Sequence, residues 1–250
     1  ILETFCWLFT IFFFSIFIGL RYNIGGDWTH YNYYFEIYGA ESQIDLILSD
    51  ILKTDIVYFI INKLAYLTGT QIFGVNFICG LIFMGSIANF LNDSKNKWLA
   101  LAICFPIIIV VLGMGYTRQG LAFAFSLYLI KLLENRKVLL SFIFFILAIF
   151  SHKTAIMLSA FYLIYFWFYK KYLYLILLII LPIILAVLYW HTIGHLLYFY
   201  VGEGVHMDAD GSPIRSLIIL FVAVLFIIFK KKHVFMSKYQ NFFYTYISYI

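Results

Sequence analysis

Residues 97–137 read KWLALAICFPIIIVVLGMGYTRQGLAFAFSLYLIKLLENRK, and the order of these side chains decides the fold. Trp98 to Gly113 carries no charge. A polar break follows, Gly113-Met114-Gly115-Tyr116-Thr117-Arg118-Gln119, and Thr117 to Leu133 then resumes the apolar character until Lys131, Arg136 and Lys137 close it. A transmembrane helix needs about 20 mostly apolar residues, or somewhat fewer in a locally thinned bilayer. Two such runs around a short break predict two helices crossing a membrane in opposite directions.

The same pattern extends both ways. Upstream lie Ile1 to Leu20 and Thr70 to Leu91; downstream lie Val138 to Phe150, Thr154 to Tyr169, Tyr172 to Trp190 and Ser216 to Phe229, with a last run from about Phe242. Ile1 to Leu20 has neither a basic start nor a small-residue cleavage site, so it reads as a span and not a signal peptide. Asp55 to Gly69 is apolar but interrupted by Asn62 and Lys63, which predicts an interfacial or re-entrant helix. The chain is 64% hydrophobic and only 12% charged. Soluble domains seldom exceed half apolar or fall far below a quarter charged. The expectation is an all-α, polytopic transmembrane helical bundle forming one domain over residues 1–250. With no initiator Met, and with Ile250 inside an apolar run, both ends read as truncated.

Charge sets the orientation. Lys95 and Lys97 fall in one connection, Lys131, Arg136 and Lys137 in the next on the same side, then Lys170 and Lys171, then Lys230, Lys231, Lys232 and Lys238. The opposite connections carry Asp27, Glu36, Glu41, Asp45, Asp50, Glu203, Asp208 and Asp210. Short loops rich in Lys and Arg stay cytoplasmic. Two long outer loops are expected, 21–54 and 191–215, and loops of that length often bind ligands. The +5 net charge is thereby explained by topology, and no nucleic-acid partner is called for. Cys6, Cys79 and Cys104 sit in apolar runs without metal-ligand spacing and read as small buried hydrophobes.

Four polar clusters converge on the outer side: Arg21-Tyr22-Asn23-Ile24-Gly25-Gly26-Asp27-Trp28, the break at 113–119, Ser151-His152-Lys153-Thr154, and Gly211-Ser212-Pro213-Ile214-Arg215. Arginine beside a membrane edge is costly unless it snorkels, pairs or meets an anion. Its planar fork suits phosphate oxygens. Arg21, Arg118 and Arg215, with Gln119 alongside, are candidate ligands for a diphosphate. The alternative is that they pair with Asp27, Asp208 or Asp210 to hold loops. His152 beside Lys153 is expected to stay neutral near pH 7 and able to accept a proton, with Asp27 as a second candidate base. Trp28, Tyr31 and Tyr116 offer flat faces for sugar rings. Walker, HExxH and GxSxG motifs are absent, and Asp208-Ala209-Asp210 is too isolated to argue for a metal. Neither metal nor cofactor is expected.

In this order the clusters resemble the EpsG family of membrane polysaccharide polymerases, related to the Wzy-type O-antigen and capsule polymerases. The matching residues are Arg21, Asn23, Gly25-Gly26-Asp27-Trp28, Tyr31, the 55–64 stretch, Thr117-Arg118-Gln119-Gly120-Leu121-Ala122 and Phe150-Ser151-His152-Lys153-Thr154-Ala155. Lys153-Thr154 departs from a common Ser-Ala pair, and the Arg215 cluster matches loosely. The resemblance implies a GT-C-type fold acting with polyprenyl-phosphate donors at the outer face of the bacterial cytoplasmic membrane. There a growing glycan would pass from undecaprenyl diphosphate to the next lipid-linked repeat unit, alongside a flippase and a chain-length regulator. Another lipid-linked glycosyltransferase, an O-antigen ligase or a lipid-linked oligosaccharide flippase are the competing readings. Span interiors nearly free of charge and the lack of an internal repeat weigh against a flippase.

Overall fold

A computed structural model describes residues 1–40, 55–171 and 176, and among these every regular element is helical. The described residues up to Leu158 belong to one compact unit and those from Ser159 to a second. In the first unit α1 spans Leu2–Gly19, α2 Trp28–Ala40, α3 Ile56–Leu67 and α4 Gln71–Leu91. Helix α5, Lys97–Cys104, continues without interruption as a π-helix, Phe105–Met114. Then come α6, Thr117–Glu134, and α7, Val138–Ser151, followed by a 3₁₀ stretch at Lys153–Leu158. Helix α8, Ser159–Phe168, belongs to the second unit. The spans expected beyond Tyr172, and the loop 191–215 with Arg215, lie outside the described residues.

Among the described residues, three helical segments are long and apolar enough to cross a bilayer: Leu2–Gly19, Gln71–Leu91 and Lys97–Met114. Each has a reason in its sequence. In α1 the buried residues Trp7, Ile11, Ser15 and Ile18 recur at helical spacing, while Phe5, Phe9, Phe12, Phe13 and Phe17 cover the exposed faces. An apolar outer face is what a hydrocarbon surrounding selects. Helix α1 lies against α4, where Gly80 permits the approach: a Cβ there would fall 3.0 Å from the Ser15 carbonyl oxygen. The π-helix begins at Phe105-Pro106. Proline has no N–H to give and crowds the preceding turn, and a widened turn accommodates it.

The bundle has two distinct ends. At one, Lys97 Nζ pairs with Glu3 at 3.1 Å and sits over the Trp7 ring at 5.1 Å. Lys131 meets Asp93 at 2.9 Å and donates to the Asn89 carbonyl at 2.6 Å. At the other end, Arg21 joins the chain after α1 to Gly113, Met114 and Thr117. So α1 and α5 run from the lysine-rich end, while α4 and α6 return to it, as the charge pattern predicts.

Two expectations need amending. Residues 21–54 are not wholly loop, because 28–40 form α2. Tyr31, Tyr34, Phe35 and Tyr38 recur at helical spacing and face the core that Tyr58, Ile61 and Leu121 help build. The span expected from Thr154 starts instead as the 3₁₀ stretch, with α8 beginning at Ser159. Helix α3 has twelve residues, roughly 18 Å long at 1.5 Å per residue, too short to cross, as its interrupted sequence suggests. Of the cysteines, Cys79 is buried, Cys104 half-buried and Cys6 exposed on α1.

Candidate functional site

The site is built on residues that end or begin helices. Arg21 follows α1 immediately, and its side chain turns inward, only 3% exposed. One terminal nitrogen donates to the Gly113 carbonyl at 3.2 Å and to the Met114 carbonyl; the other donates to Asn76 Oδ1 at 3.0 Å and to Thr117 Oγ1. The last carbonyls of a helix lack donor partners of their own, and Arg21 supplies them. It thereby braces the turn between the π-helix and α6. The sequence placed Arg21 facing outward to a diphosphate; the structure gives it a bracing position instead.

That brace positions Arg118, in the first turn of α6. Its Nη1 lies 2.9 Å from Asp55 Oδ2, with the Arg118 side chain 23% exposed and that of Asp55 10%. The guanidinium sits over two rings of α2, Tyr34 at 5.0 Å and Tyr31 at 5.7 Å. The buried Arg118 Nε has no partner among the described residues. Asp55 is the residue before α3, where an Asp side chain usually caps the helix. This one makes no cap and reaches Arg118.

Asp27 joins the same group, half-buried, with the Tyr31 hydroxyl donating to its Oδ2 at 3.3 Å. Burial, reinforced by the charge of Asp27, pushes the Tyr31 hydroxyl up to about 12, so it remains a donor at every working pH. His152 closes α7 in extended backbone. Its Nδ1 lies 2.7 Å from Thr154 Oγ1. The Thr154 backbone N–H donates to the same Nδ1 at 3.4 Å, so Nδ1 accepts and the proton of the neutral ring sits on Nε2. Burial holds the imidazole below its usual range; Asp55 and Asp27 act to raise it, Arg118 and Lys153 to lower it. Burial therefore leads where the sequence argument leaned on Lys153.

The remaining sequence candidates divide. Gln119 is exposed beside Arg118, and Tyr116 is half-buried in the same turn. Trp28 and Tyr31 are buried, Trp28 edge-on to the exposed Tyr22 at 5.7 Å, so neither presents a free face. Asp55 was missed as a site residue. The signal was present: a lone acid opening an otherwise apolar run.

Membrane-length apolar helices with a charged and aromatic cluster at one end of the bundle define a helical membrane protein with an end-on polar site. The chain belongs to the EpsG family, whose model matches residues 4–250. No curated protein and no solved structure matches it.

Proposed function

We propose that the chain is a polysaccharide repeat-unit polymerase. It transfers a growing glycan from undecaprenyl diphosphate to the next lipid-linked repeat unit at the outer face of the bacterial cytoplasmic membrane. Family membership supports a role in polysaccharide biosynthesis. The observation that carries the reading is Arg118: a permanent cation, half-buried on a tyrosine platform, with an uncommitted Nε, beside a histidine kept neutral by burial. A diphosphate leaving group requires a fixed positive charge where its own charge develops, and an acceptor hydroxyl requires a base.

In this mechanism the acceptor hydroxyl oxygen attacks the anomeric carbon of the donor's first sugar. The bond from that carbon to the diphosphate oxygen breaks, and its electron pair leaves with the lipid diphosphate. The hydroxyl proton passes to the unprotonated nitrogen of the His152 imidazole. Arg118, with Gln119, holds the diphosphate; Asp27 orients the acceptor, and Tyr116 stacks on a sugar. The apolar faces of the spans carry the lipid tails, in an architecture of the GT-C kind. Lysine-rich connections at the opposite end of the bundle support placing the site outside.

The test is surface glycan length in cells carrying Arg118→Ala in the full-length protein, with its membrane level checked. Expected is the loss of long chains while single lipid-linked units persist outside. Unchanged long chains overturn the site, and units accumulating inside turn the reading to a flippase.

A further inference from the structure

We infer that Asp55 is a tethered anion that holds Arg118 in the resting site, yields it to the donor diphosphate, and then supports His152. The inference rests on the reading that Arg118 binds that diphosphate.

Three independent features lead here. First, the Asp55 carboxylate forgoes the helix cap that its position offers and spends its hydrogen bond on Arg118, 63 positions away. Second, the pairing uses little of what either partner can give. A carboxylate and a guanidinium make two parallel bonds when fully engaged, yet Oδ2 alone meets Nη1 and the buried Nε has no acceptor among the described residues. A phosphate brings more oxygens and more charge to the same cation, and the tyrosine rings beneath hold the guanidinium in place during the exchange. Third, His152 lies within the field of both members of the pair, raised by Asp55 and lowered by Arg118.

These features make one sequence of events. Without donor, the Arg118 charge is covered and the half-buried pair is stable. When the diphosphate takes Arg118, the cation whose charge lowers the His152 pKa is neutralised, while the charge of the released Asp55 still acts to raise it. Basicity of the imidazole rises only with the donor in place. No covalent step is added; the carboxylate exchanges one cationic partner for another. The arrangement gives binding a fixed handicap, since apparent affinity falls by the fraction of sites whose Arg118 is uncovered.

The experiment uses the full-length protein in detergent, with undecaprenyl diphosphate as the binding probe and glycan extension as the rate assay. Asp55→Asn is expected to bind the probe about tenfold more tightly, by removing that handicap, and to extend glycan at least about tenfold more slowly at saturating donor. Asp55→Ser, which keeps a good cap and no charge, carries the same expectation. Asp55→Glu stays near the parent in affinity. Affinity unchanged or weakened in both Asn and Ser variants, while Arg118→Ala abolishes binding, overturns the latch and leaves the Arg118 reading standing. Unaltered binding in Arg118→Ala removes that reading, and the latch with it. Loss of folded protein in both Asn and Ser variants assigns the pair to folding alone and overturns the inference.

Discussion

Replacing Arg21 by methionine is the sharpest test of how the site is held. Methionine keeps an unbranched apolar stem but is shorter and removes a guanidinium that serves Gly113, Met114, Asn76 and Thr117. Hydrogen bonds to a charged group each contribute about 1.5–3 kcal/mol net. The four do not sum, because burying the guanidinium is itself expensive, and that cost vanishes with the charge. What remains is the orphaning of buried acceptors, worth about 1–3 kcal/mol for each that water does not reach. A net loss of about 3 kcal/mol is expected. For a chain of this size, 1 kcal/mol moves the midpoint by roughly 2–4 °C, so the melting temperature should fall by about 6–12 °C. Arg21→Lys should recover less than half of it, since an ammonium on a shorter stem cannot fork between two helices. The assay is thermal unfolding of the purified full-length protein in detergent, followed by tryptophan fluorescence, with glycan extension measured well below the lowered midpoint. A variant that melts within about 2 °C of the parent, a shift below 1 kcal/mol by that conversion, refutes the brace. If its extension rate is lost at the same time, Arg21 belongs with the substrate.

Other outcomes follow from the same geometry. His152 works as a base only when unprotonated, and burial lowers its pKa in the donor-free site; kcat/KM for the donor, which reports that state, should therefore rise with pH through a midpoint below the ordinary value of about 6.5. In His152→Gln that acid limb disappears and the rate drops about 10²–10⁴-fold, read from a pH–rate profile. Gly25 holds φ at +98°, and a Cβ there would sit 2.8 Å from the Gly115 carbonyl oxygen, whereas Gly26 has nothing within 4 Å. Gly25→Ala should lower the melting temperature by about 4–8 °C, from about 2 kcal/mol of strain and clash, and Gly26→Ala by no more than about 2 °C. Tyr34→Ala removes a ring from beneath Arg118 and should raise the donor KM about fivefold, from about 1 kcal/mol of cation–π attraction, while Tyr34→Phe keeps it near the parent.

The spans were legible because a bilayer imposes length and polarity on any helix crossing it: Leu2–Gly19, Gln71–Leu91 and Lys97–Met114 fall within a residue or two of their apolar runs. Helix α2 was not, since its tyrosines were weighed as a polar, aromatic loop and not for their spacing of three and four. Arg118 and His152 were legible as candidates because polar side chains stand out where apolar ones prevail. What each does depends on partners that local sequence does not show. Arg21 and Arg118 both flank apolar runs, yet one finds carbonyls at a helix end and the other a carboxylate on tyrosine rings. Asp55 went unnoticed as a site residue for the same reason: its meaning lies in a contact across 63 positions.

The Arg21 brace also imposes an order of events on synthesis. Its acceptors at 113, 114 and 117 lie 92 to 96 positions later in the chain. At roughly 5–20 residues per second, the ribosome needs about 5–20 s to supply them. During that interval α1 is already made, and the guanidinium that follows it lacks the Gly113, Met114 and Thr117 acceptors. Arrival of the turn at 113–117 supplies them. The first helix is thus set in place by the third and fourth long ones, and a nascent chain halted before residue 113 holds this arginine in a setting the finished protein never shows.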